Sequence, residues 1–339
     1  MHFFVTGHTG FKGSWLILLL KELGHEVSGY SLAPIEGGLF ELAGLEQDVK
    51  NHFIGDIREL DHLRSALRAC KPDFAIHLAA QPLVLRSYED PIETYTTNVN
   101  GTLNFLRAVT ELEAPPISLV VTTDKVYRDD GKGSYIETDP LGGHDPYSAS
   151  KAMADILTQS WAMTNRDLKL HVARAGNVIG AYDVSPNRLI PDAIKAIEGK
   201  GKMSIRHPDA VRPWQHVLDC LAGYYLFLQA SLRGELLPIA MNFGPDAQNI
   251  KSVGKLLEVI QHKFRDFSFE VHPPGDEQKE TGLLTLNSDL AKEQLRWENQ
   301  FEFEKAVDLA LTSLTEDSPG VSASNQVKDF VKNSSQLKR

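Results

Sequence analysis

The first thirteen residues constrain this chain more than any later stretch. Residues 2–6, His-Phe-Phe-Val-Thr, carry a buried-strand pattern. Gly7-His8-Thr9-Gly10-Phe11-Lys12-Gly13 follows at once, ahead of an apolar helical run over residues 14–23. Strand, glycine turn and helix in that order form the context in which a backbone closes around a pyrophosphate. Gly7 permits the tight turn and Gly13 lets the helix lie close on the strand. Gly10 lets backbone amides approach an anion at the helix N-terminus, with Thr9 and Phe11 beside it. A glycine turn alone would say little. At the head of an alternating β/α chain it predicts an α/β, Rossmann-like doubly wound parallel sheet that binds a dinucleotide.

The alternation continues. Strand patterns recur over residues 25–30, before Gly55, and over 74–80, 117–121, 168–173 and 239–243. The second strand ends Gly29-Tyr30-Ser31, with no carboxylate for an adenosine ribose and no arginine cluster for a 2′-phosphate. NAD is expected there, with NADP not excluded. Asp56, after the third strand, is placed to accept from an adenine amino group, with Ile57 beside it. Capping the next helix is the plainer role, and both can hold. Leu78, Ala79 and Ala80 end the fourth strand, where small residues let a cofactor lie against the backbone. His77 reads as a packed residue. Gln81 and Arg86, in the loop beyond, are candidate substrate contacts. Asn98 is expected to open a helix running to Glu113, either bridging backbone beside the site or capping the helix.

The 117–121 strand runs into Thr122-Thr123-Asp124-Lys125, and Tyr147-Ser-Ala-Ser-Lys151 follows in a pattern that turns helical. Four residues apart, Tyr147 and Lys151 share one helical face. A lysine there can hold a phenol partly ionised and bond a cofactor ribose, while Thr123 shares the proton of a substrate alcohol. Many surface helices contain Tyr-x-x-x-Lys, so the pair gains weight only from the glycine turn and the threonine strand end. All three fall at carboxyl ends of inferred strands, where open α/β sheets bind ligands. Asn177 lies where the next strand leaves the sheet.

Beyond Gly180 the rhythm breaks into irregular, partly basic sequence holding Arg188, Leu189 and Arg206, then Arg212-Pro-Trp-Gln-His216 and a helix over residues 216–232. Residues 1–177 with 214–244 are read as the dinucleotide-binding domain. Residues 178–213 with 245–339 are read as a smaller substrate domain, with a polar tail expected to fray after Ser318. A net charge of −10 argues against nucleic acid and acidic membrane surfaces, so an anionic ligand must be met by local arginines. The apolar run at residues 15–20 is too short to cross a bilayer. Two cysteines, Cys70 and Cys220, in apolar surroundings read as reduced core thiols of a cytoplasmic protein. No metal site is expected.

These motifs resemble the extended short-chain dehydrogenase/reductase superfamily to about Trp297. Several strings resemble its CDP-glucose 4,6-dehydratase branch: Thr6-Gly-His-Thr-Gly-Phe-Lys-Gly-Ser14, Ala80-Gln-Pro-Leu-Val84, Thr122-Thr-Asp-Lys125, Asp139-Pro-Leu-Gly-Gly143, Ala173-Arg-Ala-Gly-Asn-Val-Ile-Gly180 and Arg212-Pro-Trp-Gln-His-Val217. The resemblance implies an NAD-dependent hydro-lyase of deoxysugar biosynthesis acting on a nucleotide sugar. Thr122, Tyr147 and Lys151 would line the cofactor, and Thr123, Tyr147 and Lys151 would act in catalysis. Asp124 would protonate the C6 hydroxyl and Lys125 would take the C5 proton, although Lys125 could instead only pair with Asp124. Arg212 would contact the diphosphate, with Arg188 and Arg206 as further candidates, and Leu189 and His216 would stand near the nucleotide. Each arginine could equally be a surface ion pair. The resemblance also implies a homodimer built from the helix after Asn98 (Leu103, Leu106, Val109) and the helix carrying Tyr147 (Met153, Ile156, Trp161). An epimerase of the same superfamily and a non-catalytic NAD(P)-sensing regulator are the competing expectations. Asp124-Lys125 weighs against the first, and the retained Tyr147 and Lys151 weigh against the second.

Overall fold

The computed structural model describes residues 1–272 and 283–338. Seven strands form one parallel sheet: β1 (His2–Thr6), β2 (Glu26–Ser31), β3 (Asn51–Ile54), β4 (Phe74–His77), β5 (Ile117–Thr123), β6 (Leu170–Ala175) and β7 (Ala240–Phe243). Their order across the sheet is 7-6-5-4-1-2-3. The order reverses beside β1, so the crevice of this Rossmann-like fold opens at the carboxyl ends of β1 and β4.

Side chains alternate across each strand, and both faces are apolar. Phe3, Val5, Ile76, Leu119, Val121, Met241 and Phe243 point to one face. There they meet α1 (Phe11–Glu22), α5 (Val217–Leu232) and α6 (Pro319–Asn333). Phe4, Ala75 and Val120 point to the other, against α2 (Leu60–Cys70), α3 (Gly101–Thr110) and α4 (Pro146–Thr164). A separate apolar core gathers Ile190, Met203, Ile205, Leu256, Ile260, Phe303 and Val307 from the segments after β6 and β7.

The structure corrects four expectations. The stretch after Ser318 is helical as α6, and Ala323, Val327 and Phe330 bury against α1, so it does not fray. The stretch around Arg188 is not irregular: a helix spans Leu189–Glu198 and a strand Lys202–Ile205. Residues beyond 245 do not all join the smaller core, because Ala291, Leu295 and Phe330 pack with the sheet. The helix thought to begin at Asn98 begins at Pro91, capped by Asp90, whose carboxylate accepts from Glu93 N at 2.8 Å. It passes through a π-helical turn over Thr96–Asn100 before α3. Of the apolar residues assigned to a dimer face, Leu106 and Val109 lie inside their own core, and Trp161 packs beside it with Nε1 donating to Thr110 Oγ1. Met153 and Ile156 stay exposed.

Candidate active site

The glycine turn makes a cradle that side chains cannot enter. Gly7 has φ of +75°, and a Cβ on it would stand 2.8 Å from Ala79 N. A Cβ on Gly13 would stand 2.2 Å from Gly7 O, so α1 can lie this close to the turn only with glycine there. Gly10 is the N-cap of α1. No side chain caps that helix, and its first turn holds no acid. Its leading amides and positive dipole end therefore face the mouth of the cleft. These features fit an anion of pyrophosphate size. Thr9 Oγ1 lies 2.8 Å from Ser31 Oγ and 3.0 Å from Leu32 O, tying the turn to the end of β2. Phe11 lies against Gly180.

The other residues read as cofactor contacts line the same edge, but several are engaged within the protein. Asp56 holds Arg58 through both carboxylate oxygens and accepts the Arg58 amide at 2.9 Å, which keeps its pKa below the usual value. It does not cap the next helix, whose N-cap is Glu59. Ile57 is buried against Gly101. Leu78, Ala79 and Ala80 follow β4 half-buried beside Gly7. Asn98 is turned inward by the π-helical turn. Its Oδ1 accepts from Gln81 N at 2.8 Å, and its Nδ2 donates to Gln81 O at 3.1 Å and Ser150 Oγ at 2.9 Å. It bridges backbone and clamps the loop after β4 to α4. Gln81 is itself buried, its side chain satisfied by Leu83 and Thr94, so it meets no substrate in this arrangement.

At the end of β5 a row of polar side chains converges. Thr123 Oγ1 donates to Asp124 Oδ1 at 2.8 Å, and Lys125 Nζ stands 3.5 Å from the same oxygen. Asp124 is 2% exposed, whereas the Lys125 side chain is 32% exposed. Gly176 and Pro213 close the pocket beside Asp124. Tyr147, in the first turn of α4, faces Thr123. Burial pushes its phenol up to about 12, and the hydrogen bond with Thr123 works against that push. Burial, with Lys12 nearby, lowers Lys151 to about 8 while Asp155 opposes the shift. Lys151 Nζ donates to Val121 O at 2.8 Å. Here the ammonium is tied to β5, and burial is the largest influence on Tyr147.

Strand alternation sends Thr122 the other way. Its hydroxyl donates to Asp155 Oδ2 at 2.9 Å, so its side chain supports the site from behind rather than lining it. Asp155 in turn takes Arg174 Nη2 and Nε, each at 2.8 Å, in a pair buried to 0% and 1% exposure. Arg174 Nη1 donates to Tyr127 Oη at 2.7 Å, and Tyr127 donates to Asn242 Oδ1 at 2.7 Å. The sequence reading passed over this network and over Lys12. Arg174 left a signal, a cation set between the apolar Ala173 and Ala175 at a strand end, which can be buried only with a partner.

On the substrate side, Arg188 reaches Asp183 at 3.2 Å and lies close enough to Tyr147 to act on its phenol electrostatically. Leu189 begins the helix after it. Arg212 is half-buried, its Nη1 donating to Val211 O at 2.8 Å, and Arg206 is exposed. Asn177 is half-buried after β6 and accepts from Gln215 N at 3.1 Å through its carbonyl. Besides Gln81, a further substrate assignment fails. His216 is fully buried between Trp15 and Phe301 and caps α5, with Nδ1 accepting from Leu218 N at 3.3 Å, so no ligand in the cleft reaches it. Arg86 is half exposed and paired with Glu93 at 2.7 Å and 2.9 Å, an exposed pair that leaves it accessible from solvent.

Comparison with known proteins gives consistent relatives. The family model described as GDP-mannose 4,6 dehydratase matches residues 4–309. A CDP-glucose 4,6-dehydratase of Salmonella typhimurium is 39% identical over 305 residues, covering 87% of this chain and 85% of the relative. A dTDP-glucose 4,6-dehydratase of Xanthomonas campestris is 30% identical, covering 91% of each. Among solved structures, a dTDP-glucose 4,6-dehydratase from Bacillus anthracis in complex with NAD superposes with a TM-score of 0.77 at 25% identity, covering 94% of this chain and 98% of that one.

Proposed function

We propose, for a chain that belongs to the GDP-mannose 4,6 dehydratase family, a CDP-glucose 4,6-dehydratase activity, giving CDP-4-keto-6-deoxyglucose and water. The observation that carries this reading is the row Tyr147, Thr123, Asp124, Lys125 at the mouth of the glycine cradle. It supplies a phenol, a hydroxyl, a buried carboxyl and a part-exposed amine side by side. The 39% identity with a CDP-glucose 4,6-dehydratase supports the choice of nucleotide sugar. The enzyme is an NAD-dependent hydro-lyase of nucleotide sugars.

NAD, held by Gly7, Gly10, Gly13 and the leading amides of α1, supplies the reversible oxidation at C4 that makes a C5 proton acidic. The chain's own groups manage the protons. Tyr147, hydrogen-bonded through Thr123, takes the proton of the C4 hydroxyl. Lys151 would hold the nicotinamide ribose, and its charge beside the phenol would favour the ionised form of Tyr147. Lys125, unprotonated at that step, removes the C5 proton. Asp124, protonated at that step, gives its proton to the departing C6 hydroxyl, and water leaves. The hydride taken from C4 then returns to C6 and Lys125 gives its proton back to C5, so the 4-keto-6-deoxy product forms with no net oxidation. Arg188 and Arg212 hold the diphosphate, with Arg206 at the rim.

The sheet portion, residues 1–177 with 214–244, serves the cofactor, and the smaller core serves the nucleotide sugar. The reading places the enzyme in the cytoplasm, in keeping with its free buried Cys70 and Cys220. Among the described residues no helix is long and apolar enough to cross a membrane. It pairs as a homodimer through the exposed Met153, Ile156 and Met163 of α4. An Ile156→Asp variant is expected to sediment as a monomer; an unchanged mass would remove this face from consideration. The deciding experiment incubates purified protein and NAD with CDP-, dTDP-, UDP- and GDP-linked hexoses and follows the alkaline absorbance of a 4-keto-6-deoxy product. Turnover of CDP-glucose is expected. Absence of product from every donor would refute the dehydratase reading.

A further inference from the structure

One cation of the cofactor cleft has no task in the scheme above. Lys12 is the second residue of α1, inside the glycine turn, where the backbone pattern of three glycines sets no requirement for charge. Side chains in a helix lean toward its N-terminus, so the Lys12 stem runs back toward the turn. Its ammonium stands 3.3 Å from the Tyr224 hydroxyl of α5 and 5.7 Å from the centre of that ring. Tyr224 is fully buried and burial keeps its phenol protonated, so it offers a dipole and a ring face but no countercharge. Among the described residues no carboxylate lies within 4 Å of Lys12.

Lys12 also bears on Lys151, across the cleft mouth, and helps depress that lysine's pKa. Two ammonium groups thus act on one another near the positive end of a helix, and the acid that acts on Lys151, Asp155, is already paired with Arg174. Such an arrangement repels itself unless an anion enters. The far end of the cleft offers no substitute anchor. β2 ends in Ser31, and the Thr9 hydroxyl there is already engaged with Ser31 and Leu32, so an adenosine ribose meets no carboxylate at that point.

We propose that Lys12 binds the pyrophosphate of the dinucleotide, supplying a full charge beside the backbone amides of the turn and fixing the diphosphate relative to Lys151. The proposal rests on the NAD reading above and adds a residue to it. It makes cofactor affinity depend on the diphosphate more than on the adenosine, and makes it fall as salt rises.

The full-length protein and its Lys12→Met and Lys12→Arg variants would be titrated calorimetrically with NAD and ADP-ribose at low and high salt. Adenosine would be followed by ligand NMR. Lys12→Met is expected to weaken NAD and ADP-ribose by about 10- to 100-fold, the range of a hydrogen bond to a charged group. It should leave adenosine unchanged and flatten the salt dependence. Lys12→Arg is expected to restore affinity to within a few fold. Unchanged NAD and ADP-ribose binding in Lys12→Met would overturn the proposal. So would an equal loss of adenosine, since Lys12 would then act through the fold. If the unmodified protein binds none of the three ligands, the NAD reading itself fails and the proposal falls with it.

Discussion

Asp124 and Lys125 share one hydrogen-bonded row yet need opposite protonation states during elimination. Lys125 Nζ stands 3.5 Å from the Asp124 carboxylate. The 32% exposure of its side chain leaves room for a substrate to come between the two. Lys125→Met is therefore expected to keep NAD and CDP-glucose affinity while turnover falls at least about 100-fold. Solvent deuterium should also cease to enter the product at C5; normal exchange in that variant would remove Lys125 as the base. Behind the row, Arg174 and Asp155 form a buried pair that a single substitution leaves uncompensated. Arg174→Met should cost about 3–5 kcal/mol of stability, read as a fall in the urea midpoint. A loss under 1 kcal/mol would mean that water already reaches the pair. The Tyr147 and Lys151 spacing was legible because helical periodicity alone puts them on one face. The split between Thr122 and Thr123 was only half legible. Strand alternation says that they face apart, but which one faces the cleft depends on where α4 packs.

Elements were legible where their patterns are local. The seven strands fell within a few residues of their expected places, because continuous apolar runs bounded by polar turns belong to strands buried on both faces. The π-helical turn over Thr96–Asn100 was not legible, because nothing in Thr-Thr-Asn-Val-Asn marks an extra residue in a helix. It matters because it aims Asn98 at the Gln81 backbone. α6 was misread because polar residues outnumber apolar ones in residues 319–339 and the few apolar ones looked scattered. Ala323, Val327 and Phe330 nevertheless recur at helical spacing and meet α1. Phe330→Ala is expected to cost about 3–5 kcal/mol. Calorimetry should show a lower transition temperature, and NAD should restore part of the loss by binding the native state. An unshifted transition would return the segment to the status of a tail.

At the scale of the whole molecule, acid sensitivity follows from how many histidines are buried uncharged. Burial lowers His8, His77 and His216 to about 3 and His171 to about 4, from 6.5 in an unfolded chain. Their folded pKa values are depressed, so the unfolded chain binds more protons below pH 6.5 and stability falls as pH drops from there toward 4. Asp219 opposes this. Its carboxyl is raised from 3.8 to about 7 in the fold, so it holds a proton that the unfolded chain gives up. Burial also raises Glu137 and Asp192, but the four strongly depressed histidines, with His2 and His25 lowered as well, outnumber the raised carboxyls and leave a net uptake on unfolding. Urea midpoints between pH 6 and 4 should fall with a slope of more than about two protons per molecule, each worth about 1.4 kcal/mol per pH unit. A flat profile would mean that these rings are hydrated in solution.

The docking of α6 on α1 has a consequence for how the protein is made. The helix that opens on the glycine turn leaves the ribosome long before its covering partner. During translation the outer flank of α1 stays bare until that late segment emerges. A nascent chain halted before it should therefore be sticky and captured by holdase chaperones, even with every strand of the sheet already synthesised.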